Sequence, residues 1–153
     1  MKSLSEMKIA MASDHAGYAL KLQVKAWLEA QGAEVHDFGC YSSESCDYPD
    51  FAEKACKLVQ QGEATYAILV CGTGIGMCIA ANKMKGIRAA LCGDTFSAHF
   101  TRAHNDANVM TLGARVVGPG LAEFIMDEFL KTPFEGGRHA RRMAKIAAIE
   151  EAQ

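Results

Sequence analysis

A chain of 153 residues, half of them apolar and with a formal net charge of -2, is sized for one hydrophobic core that folds without a metal or disulfide staple. That near-neutral balance excludes a nucleic-acid-binding field and a solvated charged tail, so any ligand is selected by a local site. Met1 to Lys8 mixes Lys, Ser and Glu ahead of a short apolar run, unlike a signal peptide, and no stretch reaches the roughly 20 apolar residues of a membrane span.

Short β-type runs alternate with helical patterns along the whole chain, which predicts one α/β domain over residues 1–153 with a parallel sheet between helices. Lys8 to Ser13 reads as the first strand, and Ala19 to Gln31, with Leu20, Val24, Trp27 and Leu28 at helical spacing, as the first helix. Gly32 ends it. Glu34 to Phe38 alternates as a second strand, Gly39 to Asp47 is a polar loop, and Pro49 suits the start of a helix reaching about Gln61. Tyr66 to Cys71 is a near-continuous apolar strand of the kind buried on both faces, the centre of the sheet. Beyond a glycine loop come a helix over Met77–Met84, a strand over Ile87–Leu91, a helix over Thr95–His104 and a fifth strand over Asn108–Leu112. Leu121 to Leu130 and a basic segment from about Arg138 to the end complete the helices. In such a sheet ligands bind beyond the carboxyl ends of the strands, so the loops after strands one, three, four and five are expected to converge.

The six cysteines, at 40, 46, 56, 71, 78 and 92, form no Cys-x-x-Cys pair and no zinc-spaced set with histidine. They read as reduced thiols of a cytoplasmic protein, Cys78 and Cys92 as small buried hydrophobes. Cys71 differs, because it ends the central strand and opens Cys71-Gly72-Thr73-Gly74-Ile75-Gly76. Glycines there let successive N–H groups turn toward one point and make an anion seat for phosphate or an enediolate, which also suits a reactive thiolate. A plain structural turn accounts for the same residues. A dinucleotide site would use Asp94 as its ribose-binding acid, but the glycines are spaced Gly-x-Gly-x-Gly and lie in the third βα unit.

Ser13-Asp14-His15-Ala16-Gly17 sets a carboxylate and an imidazole at the end of the first strand, where Asp14 also serves as a helix cap and His15 as a bystander. His104-Asn105-Asp106-Ala107-Asn108 enters the fifth strand, with a histidine able to exchange protons near neutral pH or a simple Asn/Asp turn. His99 and His104, five apart, fall on different helix faces, so no metal is expected. Arg138 and Arg142, four apart, share a face and suit a phosphate dianion, or else form a basic first turn at a subunit interface; Arg115 is a further candidate.

These segments in this order, with Asp47-Tyr48-Pro49-Asp50, Asn82-Lys83, Gly113-Ala114-Arg115 and Gly136-Gly137-Arg138-His139, closely resemble the B-type ribose-5-phosphate isomerases and the related galactose-6-phosphate isomerase subunits. The resemblance implies a three-layer, Rossmann-like fold of five parallel strands with helices on both faces and a C-terminal helix. It also implies a homodimer, sometimes paired into tetramers, with sites between subunits. It implies interconversion of ribose 5-phosphate and ribulose 5-phosphate through an enediolate, with no metal or other cofactor. Carried over residue by residue, Cys71 is the proton-abstracting base, His104 opens the sugar ring, and Thr73 with the amides of Gly72, Gly74, Ile75 and Gly76 stabilises the enediolate. Asp14, Tyr48 and Asn105 contact sugar oxygens, while His15, Arg115, Arg138 and Arg142 bind phosphate. Allose 6-phosphate, galactose 6-phosphate and a tetrose phosphate are alternative substrates, since one methylene is worth only about 1–3 kcal/mol of discrimination. A nucleotide-binding module and a non-catalytic sugar-phosphate-binding subunit are the competing readings.

Overall fold

The computed structural model describes residues 3–153; Met1 and Lys2, at the head of the segment read as unlike a signal peptide, lie outside the described residues. A 3-10 turn at Leu4–Glu6 leads into β1 (Lys8–Ser13), α1 (Tyr18–Ala30), β2 (Glu34–Asp37), α2 (Tyr48–Gln60), β3 (Tyr66–Cys71) and α3 (Ile75–Ala81). β4 (Ala89–Leu91), α4 (Thr95–Ala103), β5 (Val109–Gly113), α5 (Pro119–Lys131) and α6 (Arg138–Glu151) follow. The five strands form one all-parallel sheet in the order β2-β1-β3-β5-β4.

Strand alternation divides the core into two layers. Ile9 and Met11 of β1, Ile68 and Val70 of β3, and Met110 and Leu112 of β5 face one side, where Leu20, Val24 and Leu28 of α1 and Ile125, Met126 and Phe129 of α5 cover them. Ala10, Ala12, Ala67, Leu69 and Cys71 face the other side, against Ala52, Ala55 and Cys56 of α2 and Met77 of α3. The small side chains on that second face let α2 lie close to the sheet. The expected sandwich of helices around a five-stranded parallel sheet is therefore observed, with helices on both faces and α6 at the C-terminus.

Several boundaries differ from the sequence reading by one to three residues, and two have a clear local cause. α3 starts at Ile75, not Met77, because Gly74 at φ +80° turns the chain straight into the helix. β4 begins only at Ala89, because the Arg88 N–H donates to the Asn108 side-chain oxygen at 2.8 Å and its carbonyl accepts from Asn108 N at 3.0 Å, so this stretch closes a turn ahead of the ladder.

A charged side chain is buried on α1. Lys21 of α1 is fully enclosed, and its ammonium donates to Asp37 Oδ1 at 2.7 Å and to the Cys40 carbonyl at 2.5 Å. The same Asp37 oxygen accepts the Gly39 N–H at 2.9 Å, while Ser13 N donates to Gly39 O at 2.6 Å and Cys40 N donates to Ser13 O at 2.8 Å across the end of β1. This cluster ties α1 to the start of the 39–47 loop. Breaking a buried pair strands the remaining charge, so Asp37→Ala is expected to cost about 3–5 kcal/mol in urea unfolding, whereas Lys21→Met with Asp37→Leu costs far less. Equal losses in the two variants would show that the pair does not carry the effect.

Candidate active site

A cleft of about 910 Å³ opens beyond the carboxyl ends of the central strands. β1 delivers Asp14 and His15 to it, β3 delivers Cys71, Gly72 and Thr73, and β5 delivers Arg115. Tyr48, at the start of α2, and Ile75 and Gly76, at the start of α3, complete its walls.

Each side chain is set by local bonding. Asp14 is buried and accepts the Gly17 N–H on Oδ1 at 3.0 Å, so it steers the entry into α1 while lining the cleft. His15 is no bystander: its Nδ1 accepts the Cys46 N–H at 3.3 Å, which leaves Nε2 as the protonated nitrogen of the neutral ring. Cys71 is only 4% exposed, and its sulfur accepts the Gly74 N–H at 3.1 Å in the mouth of the glycine loop. Thr73 accepts the Ile75 N–H at 3.3 Å and keeps its own hydroxyl proton for a ligand. Gly74 itself is buried behind the loop, where its carbonyl accepts from the Thr111 hydroxyl at 2.8 Å. Gly76 must be glycine for a contact reason, since a Cβ there would lie 2.6 Å from the Tyr48 ring.

The loops after β3 and β5 are stitched together. Ala114 N donates to Cys71 O at 2.8 Å and Arg115 N donates to Gly72 O at 2.9 Å. The Arg115 guanidinium is thereby laid over Gly72, with Nη1 3.4 Å from where a Cβ would stand.

Besides Gly74, four site candidates are absent from this cleft: His104, Asn105, Arg138 and Arg142. The sheet explains why. Ala67 N bonds to Asn108 O, so the turn entering β5 lies beside the start of β3, and four residues of strand, about 13 Å, separate that level from Cys71. Asn105 instead lines a second cavity of about 580 Å³ between α6 and the β4 region. His104 joins Glu135, Arg138 and His139, and Arg142, like Arg141, is exposed on α6. In the turn itself, Asp106 at φ +46° pairs with Arg88 and with buried Arg102 at 3.0 and 2.7 Å, so Asp106 shapes the turn and His104 and Asn105 project beyond it.

The expected convergence of the loop after strand four is corrected. β4 is an edge strand, the loop behind it stays outside the cleft, and the loop leading into α2, with Cys46, Asp47 and Asp50, takes its place. Asp94 is committed to capping α4, where Ser97 N and Oγ donate to its carboxylate at 2.7 and 2.9 Å and hold it below the usual carboxylate range. It is therefore unsuited to bind a ribose. Sequence reasoning missed Cys46 and Lys21, because a backbone N–H that orients a histidine and a lysine buried by its fold neighbours leave no local signature.

The cysteines separate by environment. Burial pushes the Cys56 and Cys92 thiols up to about 12, and Cys46 is raised by burial and then by its contact with Cys40. Cys78 is only half-buried, unlike the enclosed residue expected, with its thiol on the Ala89 carbonyl at 3.5 Å. Since the thiolate is the reactive form, Cys56 and Cys92 should resist alkylation at pH 8 in the native protein and label fully in urea. Rapid native labelling of either, read by peptide mass mapping, would contradict their enclosure.

The comparisons with known proteins settle the class. A model of the ribose/galactose isomerases matches residues 9–146. The chain belongs to that family. It is 49% identical over 144 residues to ribose-5-phosphate isomerase B of Escherichia coli, covering 94% of this chain and 97% of that protein. It superposes on the Clostridium thermocellum ribose-5-phosphate isomerase B with a TM-score of 0.94 at 51% identity, covering 95% of this chain and 99% of that one. The Mycoplasma genitalium ribose-5-phosphate isomerase B, solved with bound ribulose 5-phosphate, gives a TM-score of 0.90 at 42% identity, covering 95% and 97%. The enzyme is thus an aldose–ketose isomerase of sugar phosphates. Among the described residues no helix is long and apolar enough to cross a membrane.

Proposed function

We propose that the enzyme interconverts ribose 5-phosphate and ribulose 5-phosphate, without metal or nucleotide, at a site assembled from two copies of the chain. The observation that carries this reading is the cleft itself. A cysteine sulfur, a run of loop amides, a hydroxyl, an imidazole and a guanidinium share it, yet His104 stands at the opposite end of the central strands. A second chain can supply what the first lacks. Ile75 and Ile79, 51% and 58% exposed beside the cleft, are large apolar groups of the kind an interface covers. The names of the Escherichia coli and Mycoplasma genitalium relatives favour the pentose phosphate. Six free cysteines suit a cytoplasmic enzyme.

His104 of the partner subunit takes the proton of the anomeric hydroxyl and returns one to the ring oxygen, which frees the aldehyde. Cys71 as thiolate removes the C2 proton, the negative charge moves onto O1, and Thr73 with the amides of Gly72 to Gly76 meets it. The Cys71 thiol then gives its proton to C1 while the O2 proton passes to O1, which leaves the C2 carbonyl and C1 hydroxyl of the ketose and returns Cys71 to the thiolate. His15 and Arg115 hold the phosphate with Arg138 and Arg142 of the partner subunit. Asp14 and Tyr48, with Asn105 of the partner subunit, hold the hydroxyls.

Cys71→Ala is expected to lower kcat on ribose 5-phosphate by about 100- to 10,000-fold with little change in KM. Near wild-type kcat would exclude the base. A mixture of the inactive Cys71→Ala and His104→Ala proteins, allowed to exchange subunits, should recover about a quarter of wild-type activity, since half of the dimers are hybrids and each hybrid rebuilds one intact site. A site contained in one chain gives no recovery at any mixing ratio.

A further inference from the structure

We infer that Glu135 and His139 are positioning residues for His104: the carboxylate faces one ring nitrogen and supplies its counter-charge, and the stacked imidazole fixes the plane of the ring. The inference rests on the proposed role of His104 in opening the sugar.

His104 is the C-cap residue of α4, so its backbone is already anchored, with its N–H on the Phe100 carbonyl at 2.9 Å. Its ring lies between two others. Phe100 packs on it at 4.7 Å, tilted by 48°, and His139 stacks at 4.0 Å with only 6° between the planes. Glu135 is brought to the spot by its backbone, whose N–H donates to the Ala103 carbonyl at 3.0 Å. Its Oε2 then stands 3.7 Å from His104 Nε2 and 3.5 Å from His139 Nε2.

Two histidines and one carboxylate invite a metal reading, since the three donor atoms lie within 4.8 Å of one another. The parallel rings oppose it. A metal must lie in the plane of each imidazole it binds, and two planes 6° apart and stacked direct their lone pairs side by side, never to one point.

The charges divide the two rings into distinct roles. Arg138 Nε donates toward His139 Nε2 at 3.5 Å, which requires a lone pair there. Burial, followed by the charges of His104 and Arg138, pushes the His139 imidazole below its ordinary range. His139 is therefore the neutral, space-filling member, and the Glu135 carboxylate is left to serve His104. The groups facing this pair are Glu135 from the loop before α6 and Arg138 and Arg142 from α6 itself, and Glu135 is the one that carries negative charge. With Nε2 turned to Glu135, Nδ1 is the nitrogen left for the sugar.

The test is kcat and KM on ribose 5-phosphate for wild type, Glu135→Gln, Glu135→Asp and His139→Gln, with thermal melts alongside. Removing the counter-charge should lower kcat of Glu135→Gln several-fold at unchanged KM and Tm, and Glu135→Asp should restore it. His139→Gln, which frees the ring to turn, should lower kcat several-fold at unchanged KM. The inference is overturned if Glu135→Gln keeps the wild-type kcat, or if its kcat falls only in step with a lowered Tm and Glu135→Asp does not restore it. A wild-type protein that does not turn over ribose 5-phosphate, or a His104→Ala variant with full activity, would instead remove the reading on which the inference rests.

Discussion

The backbone bonding that continues past the ends of β3 and β5 holds the active site in place. The two strands pair in register to Cys71 and Gly113, and the loops beyond remain bonded, Ala114 to Cys71 and Arg115 to Gly72. Thr111, one face over in β5, fixes the Gly74 carbonyl from below. A loop rich in glycine is entropically the hardest kind to order. Here the sheet orders it, through the Ala114 and Arg115 N–H groups and the Thr111 hydroxyl.

The same parallel topology sets His104 and Cys71 at opposite ends of the strands. Every helix that follows a strand returns the chain to the opposite edge, so a residue at the end of α4 is carried away from a residue at the end of β3. Side chains cannot span that separation. α6 fits the same logic: His139 is its one buried residue, while Ile146 and Ile149 remain half to two-thirds exposed and its far end is held by Glu150 on the Gly86 N–H and Glu151 on Lys85.

Much of this was legible in the sequence, because the signals were local. Tyr66–Cys71 read as a doubly buried strand since every position is apolar, and the glycine loop announced a turn into a helix. The layering followed from alternation in β1, β3 and β5. The separation of His104 from Cys71 was also implicit in the βα order, although listing both among the loops of one sheet obscured it. What escaped notice depended on distant pairs: Lys21 on Asp37, His15 on Cys46, and Glu135 between two histidines. Only Glu135 and His139, four apart, have a characteristic spacing, and it does not point to His104. The dinucleotide alternative turned on Asp94, and a hydrogen bond to Ser97 three residues away decided it.

The central claim is that loop amides, a cysteine and charges drawn from two chains suffice for isomerisation. It is tested most directly by the interconversion of ribose 5-phosphate and ribulose 5-phosphate by the purified, EDTA-treated protein, with allose 6-phosphate and galactose 6-phosphate run in parallel. The account predicts fast turnover of the pentose phosphate that added divalent metal does not increase. Turnover of a hexose phosphate alone would overturn the substrate, and silence until a metal is restored would contradict the mechanism.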